Sequence, residues 1–251
     1  MRVVANLATY PRRRDGVIET ARRIAPQVDR LNLVLNEYDE AISELSSLGN
    51  IEQIIPAEDT KDTGKFLPAV GADDIVFLID DDLIYPEDYV AMSLQRIEKY
   101  QKTSIVFGYH GSSYILPRFS LNSRHFKRWW TYDPARIAEY RRVIPFYRKR
   151  DKAFLVDQIG TGTGILRGNL MPSFEYMASS QSFVDVRLAK WCFEQGIPQV
   201  ALPKADYWIQ DHSYEETIYG DFTRHNPANV AEEIRGFAYK RPMVGRVYTP
   251  E

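Results

Sequence analysis

Cysteine is almost missing from this chain: Cys192 is the one cysteine in 251 residues. A lone thiol cannot close an internal disulfide, so the core must hold the fold, and a reducing compartment fits. Between Trp191 and Phe193 it reads as a buried packing thiol. No apolar run is long enough to span a bilayer, and no leader pattern opens the sequence. The expected location is cytoplasmic, at most against the inner face of a membrane. Neither sign of charge dominates, the formal net charge being −2, so nothing draws the chain as a whole toward nucleic acid. Repeats and low-complexity tracts are also missing. What remains is a chain long enough to bury a full core as one domain.

Against that background one stretch stands out, DIVFLIDDDLIYPEDYV from Asp74 to Val90. Ile75 to Ile79 is a short apolar, β-branched run bounded by acids, the pattern of a buried strand. It ends in Asp80, Asp81 and Asp82. Ligands bind at the carboxyl ends of strands in open α/β sheets. Three adjacent carboxylates repel one another there, and a divalent cation with oxygen ligands is the natural counter-charge. Alternation along an extended segment puts Asp80 and Asp82 on one side and Asp81 on the other. The alternative is that Asp82 starts the helix after Pro86 and the other two are solvated.

Strand and helix patterns alternate through the first half. Strands are expected over 2–8, 30–36, 51–55, 75–79 and 103–107, and helices over 16–25, 39–48 and 86–102, the middle one stopped by Gly49-Asn50. This order predicts an α/β fold with a mostly parallel central sheet flanked by helices. After Gly108 the composition turns aromatic and basic. Further on lie a Gly/Thr run (Gly160 to Gly164), a helix over 183–195, a strand over 198–202 and a helix near 230–237. One domain over 1–251 is expected, with a nucleotide-binding half, 1–107, and an acceptor-binding and catalytic half, 108–251.

Taken in order, these pieces resemble the GT-A fold glycosyltransferases, especially the inverting, family-2-like bacterial type. LATYPRRR (Leu7 to Arg14) looks like the first nucleotide loop. EDTKDTGKFLPA (Glu58 to Ala69) looks like the loop that meets base and diphosphate. The Asp80-Asp81-Asp82 triple matches the D-x-D metal motif, and FVDVRLAKWCFEQGIP (Phe183 to Pro198) matches the helix carrying the catalytic base. The likeness runs from Val3 to about His212. The motif around the base has one acid where relatives often have two. The Q-x-x-R-W signature of processive synthases is absent, and its nearest echo, RHFKRWW, precedes the base helix.

The resemblance implies a Rossmann-like fold that moves a sugar from a nucleotide diphosphate, with UDP-sugar as the expected donor. A glycan or glycolipid hydroxyl is the expected acceptor, in surface polysaccharide synthesis. Manganese or magnesium would be held by Asp82, Asp80 and His212. Nucleotide contacts are implied for Thr9, Tyr10, Arg12, Asp59, Asp62, Lys65, Asp80 and Asp81. Asp185 is the implied general base.

The residues leave alternatives open. Ser182 to Asp185 also reads as a capping box, with Ser182 at the N-cap. Lys65, after Gly64, is either a mobile cation for phosphate or an ordinary exposed lysine. Asp59 and Asp62 either bind the base or shape a turn. His110, His125 and His225 have no metal-site context. The Gly/Thr run lacks dinucleotide spacing and reads as a close backbone approach or a turn. The basic-aromatic segment 124–152 is an acceptor platform, a peripheral membrane contact or a half-buried helical subdomain with a charged face. Two rival functions share the Asp-x-Asp feature: a haloacid-dehalogenase-like phosphatase and a non-catalytic carbohydrate or nucleotide-sugar binding module.

Overall fold

A computed structural model describes residues 1–100, 104–115, 119, 126, 129–212, 228–240 and 245–249. In chain order the strands are β1 (Val3–Thr9), β2 (Arg30–Leu35), β3 (Ile51–Ile54), β4 (Ile75–Ile79), β5 (Leu83–Ile84), β6 (Val106–Gly108), β7 (Gly111–Tyr114), β8 (Arg141–Ile144), β9 (Phe154–Val156), β10 (Gln158–Ile159), β11 (Thr163–Arg167), β12 (Gln199–Ala201) and β13 (Gln210–Asp211). The helices are α1 (Arg14–Ile24), α2 (Tyr89–Glu98), α3 (Phe174–Met177), α4 (Val184–Glu194) and α5 (Ala228–Phe237).

The main sheet has eight strands in the order β3-β2-β1-β4-β11-β6-β12-β9. β3, β2, β1 and β4 pair in parallel. β11 then runs antiparallel between β4 and β6, so the strand after α2 does not join β4 directly. β6 and β12 pair in parallel and β9 closes the edge antiparallel. Only β11 and β9 oppose the others, so the mostly parallel sheet expected from the alternation holds.

Every residue of β4 is buried, because both faces of the sheet are covered. The pleat divides its side chains. Ile75, Phe77 and Ile79 pack with Val17, Ala21 and Ile24 of α1 and Tyr89 of α2. Val76 and Leu78 pack on the other face with Val184, Leu188 and Cys192 of α4, where Cys192 is the buried thiol expected. α5 forms an outer layer, its Val230, Ile234 and Phe237 packed with Val186 and Ala189. The Arg187 guanidinium grips Glu233 across that layer at 2.5 and 2.8 Å. A second sheet, β10-β7-β8, stands apart from the first.

The helix expected over 39–48 is only a 3₁₀ turn, Ser43–Leu45. The reason lies in β3: Gln53 accepts from the Ile42 N–H at 2.6 Å and donates to its carbonyl at 3.2 Å. That side chain takes up backbone groups a helix would otherwise use. α2 begins three residues after Pro86, and Lys102 and Thr103 lie outside the described residues.

The Gly/Thr run is a close backbone approach. A Cβ at Gly162 would stand 2.1 Å from Asp80 Oδ2, whereas one at Gly164 would meet Leu78 Cδ1 at an ordinary 3.5 Å. We expect Gly162→Ala to displace the Asp80 carboxylate and lower stability by about 1–3 kcal/mol. Gly164→Ala should change it by less than about 1 kcal/mol. Urea melts of the two variants check the contrast; equal costs would contradict it.

Candidate active site

The carboxyl ends of β1 and β4 open into a cleft of about 1020 Å³. Its lining includes each of Thr9, Tyr10, Arg12, Asp59, Asp62, Lys65, Asp80, Asp81, Asp82, Asp185 and His212. Residues far apart in sequence meet there because β11 brings the Gly/Thr run alongside β4, and α4 starts across the gap.

The three aspartates after β4 do not alternate as the extended pattern suggests. All three line the cleft. The chain turns at once, at Asp81 and Asp82 before β5, and the turn replaces strand geometry. Asp81 Oδ2 accepts from Thr9 Oγ1 at 2.6 Å. Asp80 carries a buried hydroxyl on its backbone: its N–H donates to Tyr85 Oη at 2.8 Å, and that hydroxyl donates to the Gly162 carbonyl at 2.6 Å. Burial, then repulsion from Asp80 and Asp81, pushes the Asp82 carboxyl up to about 7. Burial also pushes Asp81 up to about 6, with Asp80 adding repulsion.

Lys65 is not a mobile loop cation. It is 2% exposed, and its ammonium pairs with Asp80 Oδ1. Burial opposes its charge, but Asp80, and further off Asp185 and Asp62, hold its pKa above the ordinary value. The ammonium also reaches Thr161 Oγ1 at 3.4 Å. Thr161 in turn donates both its N–H and its hydroxyl to Asp185 Oδ1, each at 2.7 Å. Asp185 therefore has one oxygen fixed by Thr161.

The capping box does not form. Ser182 has φ +71° and Phe183 is the N-cap, with no side-chain cap bond. Asp185 points to Thr161 instead, leaving its carboxylate for the cleft. The Ser182 N–H donates to Asp62 Oδ1 at 2.8 Å, tying the loop that carries Lys65 to the start of α4. Burial pushes Asp62 up to about 6. Asp59 shapes a turn, accepting from the Lys61 N–H at 2.9 Å.

Among the three arginines after β1, the buried one is Arg13, bonded to Tyr10 and facing Asp81 and Asp82. Arg12 lines the cleft from an exposed position. Arg14 pairs with Glu44 at 2.8 Å outside it. The sequence favoured Arg12 among the three; a 3₁₀ turn, Pro11–Arg13, decides which arginine turns inward.

Sequence reasoning missed His110, which lines the cleft with its ring against Gly160. Burial holds the imidazole below its usual pKa. His125 and His225 lie outside the described residues. In its described part, segment 124–152 is helical at Phe126, Trp129 and Trp130, then holds a 3₁₀ stretch, Pro134–Glu139, and then β8. Arg141, Phe146 and Tyr147 of this segment line the cleft, while Trp130 is 73% exposed. No helix among the described residues is long and apolar enough to cross a membrane.

His212 arrives beside Asp82 through the β13–β5 pairing, its N–H donating to the Asp82 carbonyl at 2.9 Å. Its Nε2 lies 3.7 Å from Glu19 Oε2. Among the described residues no three His, Cys, Asp or Glu side chains converge as a metal cage. The donor set still suits a divalent ion of another kind. Asp81 and Asp82 are crowded, hard oxygen ligands. Magnesium-type ions are commonly held by one or two carboxylates together with substrate phosphates.

No family model matches this chain, and comparison with curated proteins gives no match. Solved structures do match. One is a crystal structure of a mycobacterial protein, 12% identical with a TM-score of 0.51, covering 99% of this chain and 82% of that one. Another is glucosyl-3-phosphoglycerate synthase from Mycobacterium tuberculosis in complex with Mn2+, UDP-glucose and phosphoglyceric acid. It is 12% identical with a TM-score of 0.51, covering 99% of this chain and 87% of that one. The fold is thus the GT-A type that the motif order resembled.

The raised carboxyls fix a pH dependence. An unfolded aspartate titrates near 4, roughly. Asp62, Asp81 and Asp82 stay protonated in the folded protein up to about 6, 6 and 7. The folded state binds the extra protons, so these groups lower stability as pH rises across that window. Without divalent ions, Asp82→Asn should gain melting temperature over the parent at pH 8 and less at pH 5. A difference that does not grow with pH would count against the crowding.

Proposed function

We propose that this chain is a glycosyltransferase that moves a sugar from a nucleotide diphosphate, expected to be UDP, to an acceptor hydroxyl. The observation that carries this reading is the facing of two walls across one cleft. On one side stand the ends of β1 and β4 with their arginines and aspartates, and on the other Asp185, held through Thr161. Its fold relative crystallised with Mn2+ and UDP-glucose supports the same reading.

In this scheme the diphosphate lies along the first wall. Arg12, Arg13 and Lys61 line that side, and Thr9 and Tyr10 shape its floor. Asp81 and Asp82 would hold manganese or magnesium jointly with the phosphate oxygens, while Asp80 is neutralised by Lys65. His212, beside Asp82, remains the expected additional ligand. The ion's chemistry when bound is to neutralise charge building on the leaving diphosphate.

Asp185 acts as general base. Its carboxylate takes the proton of the acceptor hydroxyl as that oxygen bonds to the anomeric carbon. The bond from that carbon to the diphosphate oxygen breaks, and its electron pair leaves with the diphosphate. This single displacement inverts the anomeric centre. Thr161 spends one Asp185 oxygen on two hydrogen bonds, which fixes the direction of the other. The acceptor is expected to be a glycan or glycolipid of a surface polysaccharide pathway.

Two measurements test this. UDP with manganese should raise the melting temperature, since a ligand bound only to the native state stabilises it. GDP and ADP should do so less, and none should act fully without the ion. Asp185→Asn should keep that shift but lower transfer by about 10²–10⁴-fold, the usual worth of a general base. Cleavage of simple phosphate esters would instead favour the phosphatase, and an active Asp185→Asn enzyme would refute the base.

A further inference from the structure

The second sheet supplies a wall whose chemistry the donor does not use. Gln158 pairs with Ser112, and Ser112 with Val143. Directly opposed residues share a face, as do residues two apart along a strand. Gln158, Ser112, Val143 and Arg141 therefore share a face, and all line the cleft. Tyr114, paired with Arg141, braces it: the Tyr114 hydroxyl takes a hydrogen bond from the guanidinium and donates to Gln158 Oε1 at 2.6 Å.

Charge separates this wall from the donor side. Among the described lining residues, Arg12, Arg13, Lys61 and Lys65 come from the first half of the chain, and Arg141 is the sole lysine or arginine from the second. His110 stands nearby, within the electrostatic influence of both Arg141 and Asp185. Its backbone N–H donates to Thr163 Oγ1 at 2.9 Å, while its ring Nδ1 is buried with no hydrogen-bond partner. A buried polar atom left in that state calls for a ligand group or a water.

We propose that this wall is an acceptor subsite for an oxyanion, a phosphate or carboxylate carried on the sugar or polyol that receives the transfer. Arg141 binds the anion, for which its planar guanidinium offers a paired set of donors. His110 Nδ1 bonds a neighbouring hydroxyl and so turns the attacking one toward Asp185. The inference rests on the transferase reading above and adds the acceptor's class to it.

The test uses the full chain saturated with UDP and manganese, titrated calorimetrically with glucose 6-phosphate, glucuronate and glucose. At least one of the two anions should bind about tenfold or more tightly than glucose, the worth of one charged hydrogen bond. The two anionic arms tell phosphate from carboxylate. Arg141→Gln should abolish that preference and leave glucose and UDP binding unchanged, and Arg141→Lys should restore part of it. Retained UDP binding shows that the variants fold. Equal binding of all three sugars by the parent, or a preference surviving in Arg141→Gln, overturns the subsite while UDP binding leaves the transferase reading intact. Loss of UDP binding by the parent itself overturns both.

Discussion

A buried ammonium cannot stay charged without a partner, and the site is organised around that constraint. Lys65 is almost sealed from water, so Asp80 must come to it. To do so, the end of β4 must meet the loop that carries Lys65. The Gly/Thr run must pass close enough for Thr161 to touch the same ammonium, and a glycine at 162 makes room. The lysine backbone is pinned as well: the Lys65 carbonyl accepts from Asn6, whose own amide oxygen accepts from Asn32 on the next strand. One ion pair thus joins β1, β2, β4, the loop before β11 and, through Thr161, the start of α4.

This arrangement divides labour among the acids. Asp80 is committed to Lys65, Asp185 to Thr161 on one oxygen, and Asp62 to the Ser182 backbone. Asp81 and Asp82 are left as the pair whose repulsion is not fully relieved by Arg13, facing both from the loop after β1, or by Lys65 further off. In the proposed scheme a cation shared with the donor would complete such a pair, and the charge of the site would then depend on what it binds.

Much of this was legible in the sequence, and the limits follow physical lines. The β4 run was readable because burial on both faces forces an unbroken apolar segment, and its end marks the ligand side of the sheet. The order of motifs grouped Asp185 and His212 with the aspartates after β4, and all of them line one cleft. What failed was local geometry set by distant partners. The 39–48 segment has helix-like signals, but Gln53 on β3 claims its backbone. Ser182 and Asp185 have capping-box spacing, yet Asp62 and Thr161 outbid the cap. Lys65 looked exposed because nothing nearby in sequence reveals Asp80 as its partner. His110 and Arg141 carry no motif at all; they are brought to the cleft by the register of a small sheet that only tertiary structure defines.

The placement of β11 between β4 and β6 has a mechanical consequence. Enzymes that close on substrate by swinging two lobes need a flexible waist between them. Here the strand that ends in Asp80 to Asp82 and β11, which follows the Thr161 that holds Asp185, are laced into one continuous hydrogen-bonded ladder. The two sides of the cleft cannot open like a jaw without tearing that ladder. Their charges are consequently set in place before any ligand arrives, the kind of preorganisation that the proposed transfer would use.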